Sequence, residues 1–360
     1  MKIVLLSGAS SIHTIRWANA LAEKGVNVHL ISQHKPLESL NSKVSFYELP
    51  YKGMLGYYLY MKKVKDLIRK INPDIVNAHY ASGYATLARL VGFHPTLLSV
   101  WGSDVYAFPN KSFLHKQLVV KNLKFADRIA STSLAMAEQI NSLLPIKSND
   151  IAITPFGVEF CKFENIEYKK DSNEIIIGTI KGLENQYGID ILIKSFALLN
   201  KKLLKDNSQK KIFLEIVGAG SKESELKALV KELKLDNKIK FLGRIDHKYV
   251  PEKLKSFDIF VALSRFESFG VAVVEAHAAR RPVIVSNVGG LPEVVTNNVT
   301  GFVIPYEDIV EASNKLEKLV NDYDLRQKLG EAGFNNALNK YSWDRNVQTM
   351  IDLYVEMIKR

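Results

Sequence analysis

Two glutamates eight positions apart are the residues of this sequence best placed to do chemistry. Glu267 stands in a loop that follows an apolar strand-like run, and Glu275 stands in the apolar helical segment that comes next. With a rise of about 1.5 Å per residue, the helical stretch from Gly270 to Glu275 spans roughly 7.5 Å. This length is comparable to the separation of a sugar and a ribose across a diphosphate. The spacing therefore predicts that the two carboxylates bracket a nucleotide sugar.

The start of the same helix is suited to a phosphate. Backbone N–H groups at a helix N-terminus bind anions, and here Phe269 and Gly270 would supply them. Glu275 would grip ribose hydroxyls through charge-assisted hydrogen bonds worth about 1.5–3 kcal/mol each. It stands among valines and alanines, and a carboxylate buried there needs a partner or a ligand. That need disfavours the alternative, in which Glu267 and Glu275 are ordinary surface charges.

A weaker phosphate signal follows the first strand-like run, in the segment SGASS at 7–11. Small residues such as Gly8 let backbone amides approach a phosphate, and a tight turn without any ligand is an equal alternative. The spacing is not that of a dinucleotide-binding fingerprint, and no P-loop sequence occurs.

Alternating strands and helices must position these residues. The strand-like apolar runs are 2–8, 26–32, 74–79, 96–102, 127–132, 151–157, 174–180, 211–218, 239–243, 258–264, 282–286 and 301–305. Segments with helical spacing lie between most of them. Short, nearly continuous apolar strands separated by helices predict parallel sheets covered on both faces. Ligands of such sheets bind beyond the carboxyl ends of the strands.

The chain of 360 residues is too long for one ordinary core. We expect an α/β protein of two Rossmann-like, doubly wound domains that face each other across a cleft. Residues 1–158 would form the first domain and 159–341 the second, joined around PFGVEFCKFENIEY at 155–168. An amphipathic helix over 342–360 is expected to pack back on the first domain.

Composition limits the classes of function. The formal net charge is +11, and residues 1–158 hold 18 Lys and Arg against 9 Asp and Glu. A basic half suits a phosphorylated ligand, nucleic acid or an anionic membrane, with a lysine-rich soluble surface as the alternative. The single cysteine, Cys161, excludes an internal disulfide and a cysteine-cluster metal site. A reducing cytoplasm fits this low cysteine content. No D-x-D pair suited to a metal stands at a strand end, so we expect no metal or other cofactor.

Two segments of the basic half, 51–70 and 111–125, interleave aromatic and basic residues. The first carries Tyr51, Tyr57, Tyr58 and Tyr60 with Lys52, Lys62, Lys63 and Lys65, and the second Phe113 and Phe125 with Lys111, Lys116, Lys121 and Lys124. Such helices suit a membrane interface, where each cation near an anionic surface contributes about 1 kcal/mol. We expect peripheral binding to the inner face of the cell membrane, and two ordinary surface helices are the alternative.

The string E-S-F-G-x-x-x-x-E-A at 267–276, followed by R-P-V-I-V-S and G-G-L-P-E, resembles glycosyltransferase family 4 of the bacterial polysaccharide-biosynthesis type. The resemblance extends over nearly the whole chain. It implies the GT-B fold and transfer of a sugar from a nucleotide donor with retention of configuration. In that family the first glutamate contacts the donor sugar, the next amides contact the sugar and diphosphate, and the second glutamate contacts the ribose. These roles match Glu267, the segment Ser268, Phe269 and Gly270, and Glu275.

The same resemblance implies a basic pair that clamps the diphosphate after the first strand of the second domain. The matching segment is G-T-I-K-G-L-E-N-Q-Y-G at 178–188. Lys181 is the candidate for the first cation, and Tyr187 stands where the second would be, so that Arg265 is a substitute candidate. The loop of Gly243, Arg244 and Ile245 corresponds to the family's base-binding loop.

In the first domain the family often carries a histidine near the reacting centre. The matching stretch here is S-V-W-G-S-D at 99–104, in which Trp101 replaces the histidine and Asp104 is close by. His13 would compensate in part, and an ordinary histidine facing solvent at a helix start is the alternative.

The resulting hypothesis is a retaining, metal-independent glycosyltransferase that acts in surface polysaccharide synthesis, such as O-antigen or capsule. Its donor would be a nucleotide sugar, with UDP expected, and its acceptor a saccharide linked to polyprenyl pyrophosphate. Three rivals remain: a nucleotide-sugar 2-epimerase of the same fold, a non-catalytic binder of anionic ligands, and a membrane scaffold with a decayed donor site. No nucleic-acid-binding motif is present, and the intact pair of glutamates disfavours the scaffold.

Overall fold

The computed structural model describes residues 1–51, 53–145, 151–164 and 171–359. The chain divides into two compact units, each built on one parallel β-sheet. Unit 1 comprises Met1–Pro155 together with Asn346–Arg360, and unit 2 comprises Phe156–Arg345.

Unit 1 contains a seven-stranded sheet in the order β3-β2-β1-β4-β5-β6-β7. Its strands are β1 Lys2–Leu6, β2 Asn27–Ser32, β3 Ser45–Glu48, β4 Ile75–His79, β5 Thr96–Val100, β6 Arg128–Ser131 and β7 Ile151–Ile153. The central strands β4 and β5 are buried along their whole length, which explains their continuous apolar sequences.

The helices of unit 1 follow its strands. They are α1 Ile12–Glu23, α2 Met54–Ile71, α3 Gly83–Val91, α4 Ser103–Tyr106, α5 Phe113–Phe125 and α6 Leu134–Leu143. The last helix of the chain, α14 Trp343–Lys359, contributes its residues from Asn346 onward. A buried hydrogen bond ties α14 to the sheet, since Asn77 Nδ2 donates to the Tyr354 hydroxyl at 2.7 Å.

Unit 2 contains a six-stranded sheet in the order β10-β9-β8-β11-β12-β13. The strands are β8 Glu174–Ile180, β9 Lys211–Val217, β10 Ile239–Gly243, β11 Ile259–Ala262, β12 Val283–Ser286 and β13 Gly301–Ile304. The helices are α7 Ile189–Lys205, α8 Glu223–Glu232, α9 Val250–Ser256, α10 Val271–Ala278, α11 Leu291–Val294, α12 Ile309–Asn321 and α13 Tyr323–Tyr341.

The prediction of two parallel-sheet, Rossmann-like α/β domains is confirmed, because all strand pairs within both sheets run parallel. Strand β3 was not predicted. It lies at the sheet edge and its side chains are half-buried or exposed, so its sequence shows no continuous apolar run. Several predicted strands end earlier than expected, since their last residues form the loops that carry the candidate site. Residues 165–168 of the predicted linker lie outside the described residues.

Candidate functional site

Glu267 lies in the loop between β11 and α10, and two glycines hold that loop in place. Gly289 has a φ of +50°, and a Cβ there would lie 1.8 Å from the carbonyl oxygen of Glu267. The Gly290 N–H donates to the same oxygen at 3.1 Å, and a Cβ on Gly290 would lie 2.7 Å from the carbonyl oxygen of Ser268. Only glycine permits so close an approach of two backbones. The G-G-L-P-E segment therefore fixes the backbone beneath Glu267.

The carboxylate of Glu267 forms an ion pair with the ammonium of Lys181, which comes directly after β8. The two side chains are 13% and 8% exposed. The Ser264 hydroxyl donates to the same carboxylate oxygen at 3.4 Å. The Lys181 ammonium also lies 5.2 Å from the centroid of the Tyr187 ring, within the range of a cation–π contact. The structure thus brings together the residue predicted for the sugar and the residue predicted for the diphosphate.

Arg265 stands in the same loop but is engaged within the protein. Its guanidinium donates to both carboxylate oxygens of Asp190, each at 2.8 Å, and its Nε donates to Glu307 Oε1 at 2.5 Å. The hydrogen bonds to Asp190, assisted by those to Glu307, raise the pKa of Arg265 above its ordinary value. The pair with Asp190 holds the loop of Arg265 to α7, and the role of Arg265 as a second diphosphate cation stays a prediction.

The buried carboxylate of Glu275 has a partner that sequence reasoning missed. His247 Nε2 lies 2.9 Å from Glu275 Oε1, and the His247 side chain is 40% exposed. His247 opens a short 3₁₀ turn, His247–Tyr249, a few residues after the predicted base-binding loop. The sequence indicated only that His247 lies close to the predicted base-binding loop, because nothing in the local pattern links residue 247 to residue 275.

The predicted base-binding loop leaves β10 at Gly243, whose φ is +70°. The Gly243 carbonyl accepts a hydrogen bond from the Gly218 N–H at 2.8 Å, which joins the ends of β10 and β9. Arg244 is exposed and Ile245 is half-buried. The loop then continues into His247, so one short segment connects the predicted base contact with the predicted ribose contact.

Helix α10, which carries Glu275, begins at Val271. Its N-cap, Gly270, has a φ of +109°, and the N–H groups of Val273 and Val274 donate to the Gly270 carbonyl at 2.9 and 3.2 Å. The first N–H groups of any helix lack intrahelical acceptors. Phe269 is buried against Tyr341, with ring centroids 5.3 Å apart. The amides predicted to face a phosphate thus lie on a fixed backbone.

In unit 1, the strand ends carry a buried group of neutral polar and aromatic residues. The Ser7 hydroxyl bonds to His79 Nδ1 at 2.9 Å and to the Thr14 hydroxyl at 2.7 Å. Burial lowers the pKa of His79 to about 3, so its imidazole is neutral at physiological pH. The Trp101 ring lies 4.4 Å from the His79 ring and 6.0 Å from the His13 ring, measured between centroids. His13 thus adjoins the tryptophan that replaces the family's histidine.

The loop after β1 has room for a side chain at Gly8. A Cβ at Gly8 would lie 3.7 Å from the Tyr84 ring and 3.8 Å from His34, which are ordinary van der Waals distances. The backbone therefore does not require glycine here.

Asp104 is buried behind this aromatic group. Its carboxylate accepts hydrogen bonds from the N–H groups of Ala81 at 2.7 Å and Gly102 at 2.8 Å. Burial raises the pKa of Asp104, and these hydrogen bonds act in the opposite sense. Tyr80 has a φ of +69°, and burial with the nearby Asp104 charge raises its pKa to about 12. Asp104 thus fixes the loops that follow β4 and β5.

The two aromatic and basic segments are only partly exposed. Tyr57 and Tyr60 are buried, so the expectation that they belong to a membrane surface is corrected. Tyr51 and Tyr58 are exposed, as are Leu55 and Leu59, which are 78% and 68% accessible. In the second segment the exposed apolar residues are Phe113 and Leu114. Lys52 lies outside the described residues.

Within the described ranges, no helix is both long and apolar enough to span a bilayer. In the same part of the chain, no group of three or more His, Cys, Asp and Glu side chains could hold a metal ion.

Two family models match the chain. Residues 162–336 match the model described as glycosyl transferases group 1, and residues 2–133 match the model described as glycosyl transferase 4-like. The two matches fall on unit 2 and unit 1 respectively, and together they take up most of the sequence.

Curated relatives and solved structures agree with these matches. N-acetyl-alpha-D-glucosaminyl L-malate synthase of Bacillus anthracis is 25% identical over 98% of this chain and 95% of its own length. The capsular polysaccharide biosynthesis glycosyltransferase CapM of Staphylococcus aureus is 25% identical, over 89% of this chain and 88% of its own.

Anabaena HepE, solved in complex with UDP-glucose, superposes with a TM-score of 0.78 over 99% of this chain and 100% of its own. Its identity is 17%, so this likeness establishes the GT-B fold alone. The two family models and the full-length relatives identify the chain as a member of the family 4-type glycosyltransferases.

Proposed function

We propose that this glycosyltransferase moves a sugar from a UDP-sugar to a lipid-linked saccharide, with retention and without a metal. The contact between Lys181 and Glu267 carries the proposal. A cation and a carboxylate stand side by side at the carboxyl edge of the unit 2 sheet, next to the start of α10. A nucleotide sugar presents an anionic diphosphate beside a ring of hydroxyls, which is the ligand that this pairing suits.

The neighbouring groups suit the other parts of the donor. The first amides of α10 would bind diphosphate oxygens, and Glu275 would accept hydrogen bonds from the ribose hydroxyls. The backbone of Gly243, Arg244 and Ile245 would contact the base. The UDP-glucose bound to Anabaena HepE supports UDP as the nucleotide. Unit 2 would then be the donor domain and unit 1 the acceptor domain.

In the proposed reaction, the bond between the anomeric carbon and the diphosphate oxygen breaks, and the acceptor oxygen bonds to the same face of the sugar. The departing phosphate oxygen takes the acceptor's proton, so no enzyme nucleophile is needed. Lys181 shifts from Glu267 to the diphosphate and stabilises its developing charge, together with the helix amides. Glu267 then contacts the sugar hydroxyls, and His13 stands beside the acceptor.

A surface on α2 supports an acceptor held at a membrane. Leu55, Tyr58, Leu59 and Lys62 stand at positions i, i+3, i+4 and i+7 of α2, so they share one helix face, and all four are exposed. The same helix buries its opposite face in the core of unit 1. An apolar stripe with adjacent lysines suits the boundary of an anionic bilayer. The named role of CapM in capsular polysaccharide biosynthesis is consistent with such an acceptor.

Turnover with defined substrates tests the proposal. A panel of UDP-sugars is first ranked by thermal stabilisation of the protein, because a bound ligand raises the melting point. The best donor is then incubated with and without a polyprenyl-pyrophosphate-linked saccharide, in the presence of EDTA. We expect UDP release that depends on the acceptor and a product of retained anomeric configuration. Release without any acceptor, together with a 2-epimerised sugar, would instead support the epimerase.

A matched pair of variants links that activity to the site. Glu267→Gln removes the charge that contacts the sugar and should abolish most of the transfer. Glu252→Gln makes the same change on an exposed residue of α9 and should leave transfer unchanged. Equal activities of the two variants would contradict the assigned role of Glu267.

A further inference from the structure

The hydrogen bond between His247 and Glu275 joins two parts of unit 2 that are 28 residues apart in sequence. An ionised carboxylate can only accept, so the bond requires the proton on His247 Nε2. Among the described residues, His247 is the hydrogen-bond partner of the Glu275 carboxylate, and it engages Oε1. The other oxygen, Oε2, has no hydrogen-bond partner within that part of the chain.

The backbone around His247 is fixed on both sides. Gly243 is held to the end of β9 through the Gly218 N–H at 2.8 Å, and the Tyr249 N–H donates to the Asp246 carbonyl at 2.9 Å. Glu275 is equally fixed, because α10 is buried from Val273 to Ala278. The imidazole therefore links two rigid segments, the loop at 243–245 and the helix that carries Glu275.

We propose that His247 is a positioning residue for the nucleoside part of the donor. Its Nε2–H holds Glu275 Oε1 and thereby aims Oε2 at the two ribose hydroxyls, while the connected loop contacts the base. The inference rests on the proposed function, in which Glu275 binds the ribose. In this proposal His247 acts through Glu275 and does not itself contact the sugar or the diphosphate.

The physical reason is preorganisation. A glutamate side chain has three rotatable bonds, and ordering them on binding reduces affinity. A carboxylate that is already held by a hydrogen-bond donor forms its ribose hydrogen bonds without that loss. The hydrogen bond also compensates for the burial of the carboxylate among the apolar residues of α10. A side chain that donates from the position of Nε2 should therefore substitute for histidine.

Calorimetric titration with UDP and with 2′,3′-dideoxy-UDP tests this role, because the second ligand lacks both ribose hydroxyls. The measured quantity is the ratio of the two dissociation constants. We expect wild-type protein to prefer UDP by tenfold or more and His247→Ala to reduce that preference about tenfold. His247→Gln, whose amide can still donate, should retain most of it. Lys248→Ala alters the next residue of the same exposed turn and should leave the preference unchanged.

The outcomes separate this inference from the function on which it depends. If His247→Ala keeps the wild-type preference, or if His247→Gln loses as much as His247→Ala, the positioning role is overturned. The variant Glu275→Gln is the reference. If it too keeps the preference for UDP over the dideoxy ligand, the ribose assignment of Glu275 itself fails. Thermal unfolding of each variant shows that loss of binding does not reflect loss of folding.

Discussion

Both units end their central strands in short loops, but the loops differ in chemistry. In unit 2 the strand ends carry opposite charges in contact, Lys181 with Glu267 and Arg265 with Asp190. In unit 1 the corresponding loops carry the neutral imidazole of His79 against the ring of Trp101, with Ser7 hydrogen-bonded to it. The strand ends of unit 2 thus carry paired charges, whereas those of unit 1 carry a neutral histidine packed against an aromatic ring. The same architecture thus supplies two kinds of site, because the loops and not the sheets determine the chemistry.

The two units also differ in how their loops are fixed. Unit 2 relies on glycines that let backbones touch, as Gly289 does beneath Glu267. Unit 1 relies on a buried carboxylate, since Asp104 accepts hydrogen bonds from the loops after β4 and β5. A rigid donor loop suits a ligand whose diphosphate must always occupy the same position.

Removal of the Lys181 charge should produce the largest effect. Lys181→Ala deletes the cation proposed for the leaving diphosphate, and loss of one such electrostatic group costs about 10²–10³ in rate. We expect the transfer rate to fall by that factor in a steady-state assay. Lys222→Ala removes a half-buried lysine of the same unit whose partner is Glu225, and its rate should match the wild type. A Lys181→Ala rate within threefold of wild type would mean that unit 2 does not use this charge.

Filling the space at Gly289 should disrupt the same loop through its backbone. A methyl group there meets the Glu267 carbonyl and forces a strained φ, so Gly289→Ala should destabilise unit 2 by about 2–4 kcal/mol. Gly243→Ala provides the stability control, because its φ is also positive but nothing lies within 4 Å of the added Cβ. It should cost only about 1 kcal/mol. Urea unfolding measures both, and equal losses would show that the contact with Glu267 is irrelevant.

The buried His79 of unit 1 predicts that the free energy of unfolding depends on pH. Its pKa is lowered from 6.5 to about 3 in the folded protein, so the unfolded chain takes up the proton first. The neutral His79 therefore makes its full contribution to the free energy of unfolding above pH 6.5, and this contribution is lost progressively as the pH falls toward 3. Between pH 7.5 and 5.0 we expect a loss of about 1–2 kcal/mol from this residue.

His79→Asn isolates that contribution, because an amide can keep a hydrogen bond to Ser7 but does not titrate. The difference in unfolding free energy between the two pH values should shrink in the variant. Burial lowers the pKa of His277 in unit 2 to about 4. Because His277 is present in both the wild type and the variant, it contributes equally to the pH dependence of their unfolding free energies. An unchanged difference would contradict a neutral, buried His79.

The smallest expected effect concerns the exposed face of α2. Leu55→Ser and Leu59→Ser each remove an apolar side chain worth at most about 1.5–3 kcal/mol when fully buried, and a membrane buries it only in part. We expect each change to weaken sedimentation with phosphatidylglycerol vesicles severalfold and to leave stability unchanged. Leu37→Ser alters a residue of unit 1 that is similarly exposed and serves as the control. Identical binding of all variants would remove α2 from the proposed membrane surface.

Much of the architecture could be predicted from the sequence because buried parallel strands impose apolar runs. The runs at 174–180 and 239–243 coincide with β8 and β10. Strand β3 could not be found in this way, since its residues at the sheet edge are half-buried or exposed and form no continuous apolar run. The burial of Glu275 followed from its apolar neighbours, and the structure confirms it.

The side-chain partners could not be predicted. Arg265 pairs with Asp190, 75 residues away, and Glu275 pairs with His247. Such contacts depend on which strands are neighbours in the sheet, and no local pattern encodes that order. The pairing of Arg265 was therefore not foreseen, and His247 was overlooked.

A crystal structure with a non-hydrolysable UDP-sugar phosphonate tests the central claim most directly. The account predicts ribose hydroxyls within hydrogen-bond distance of the Glu275 carboxylate, sugar hydroxyls at Glu267, and phosphonate oxygens at Lys181 and the first amides of α10. A ligand bound elsewhere, with the Lys181–Glu267 pair intact and Glu275 untouched, would contradict it.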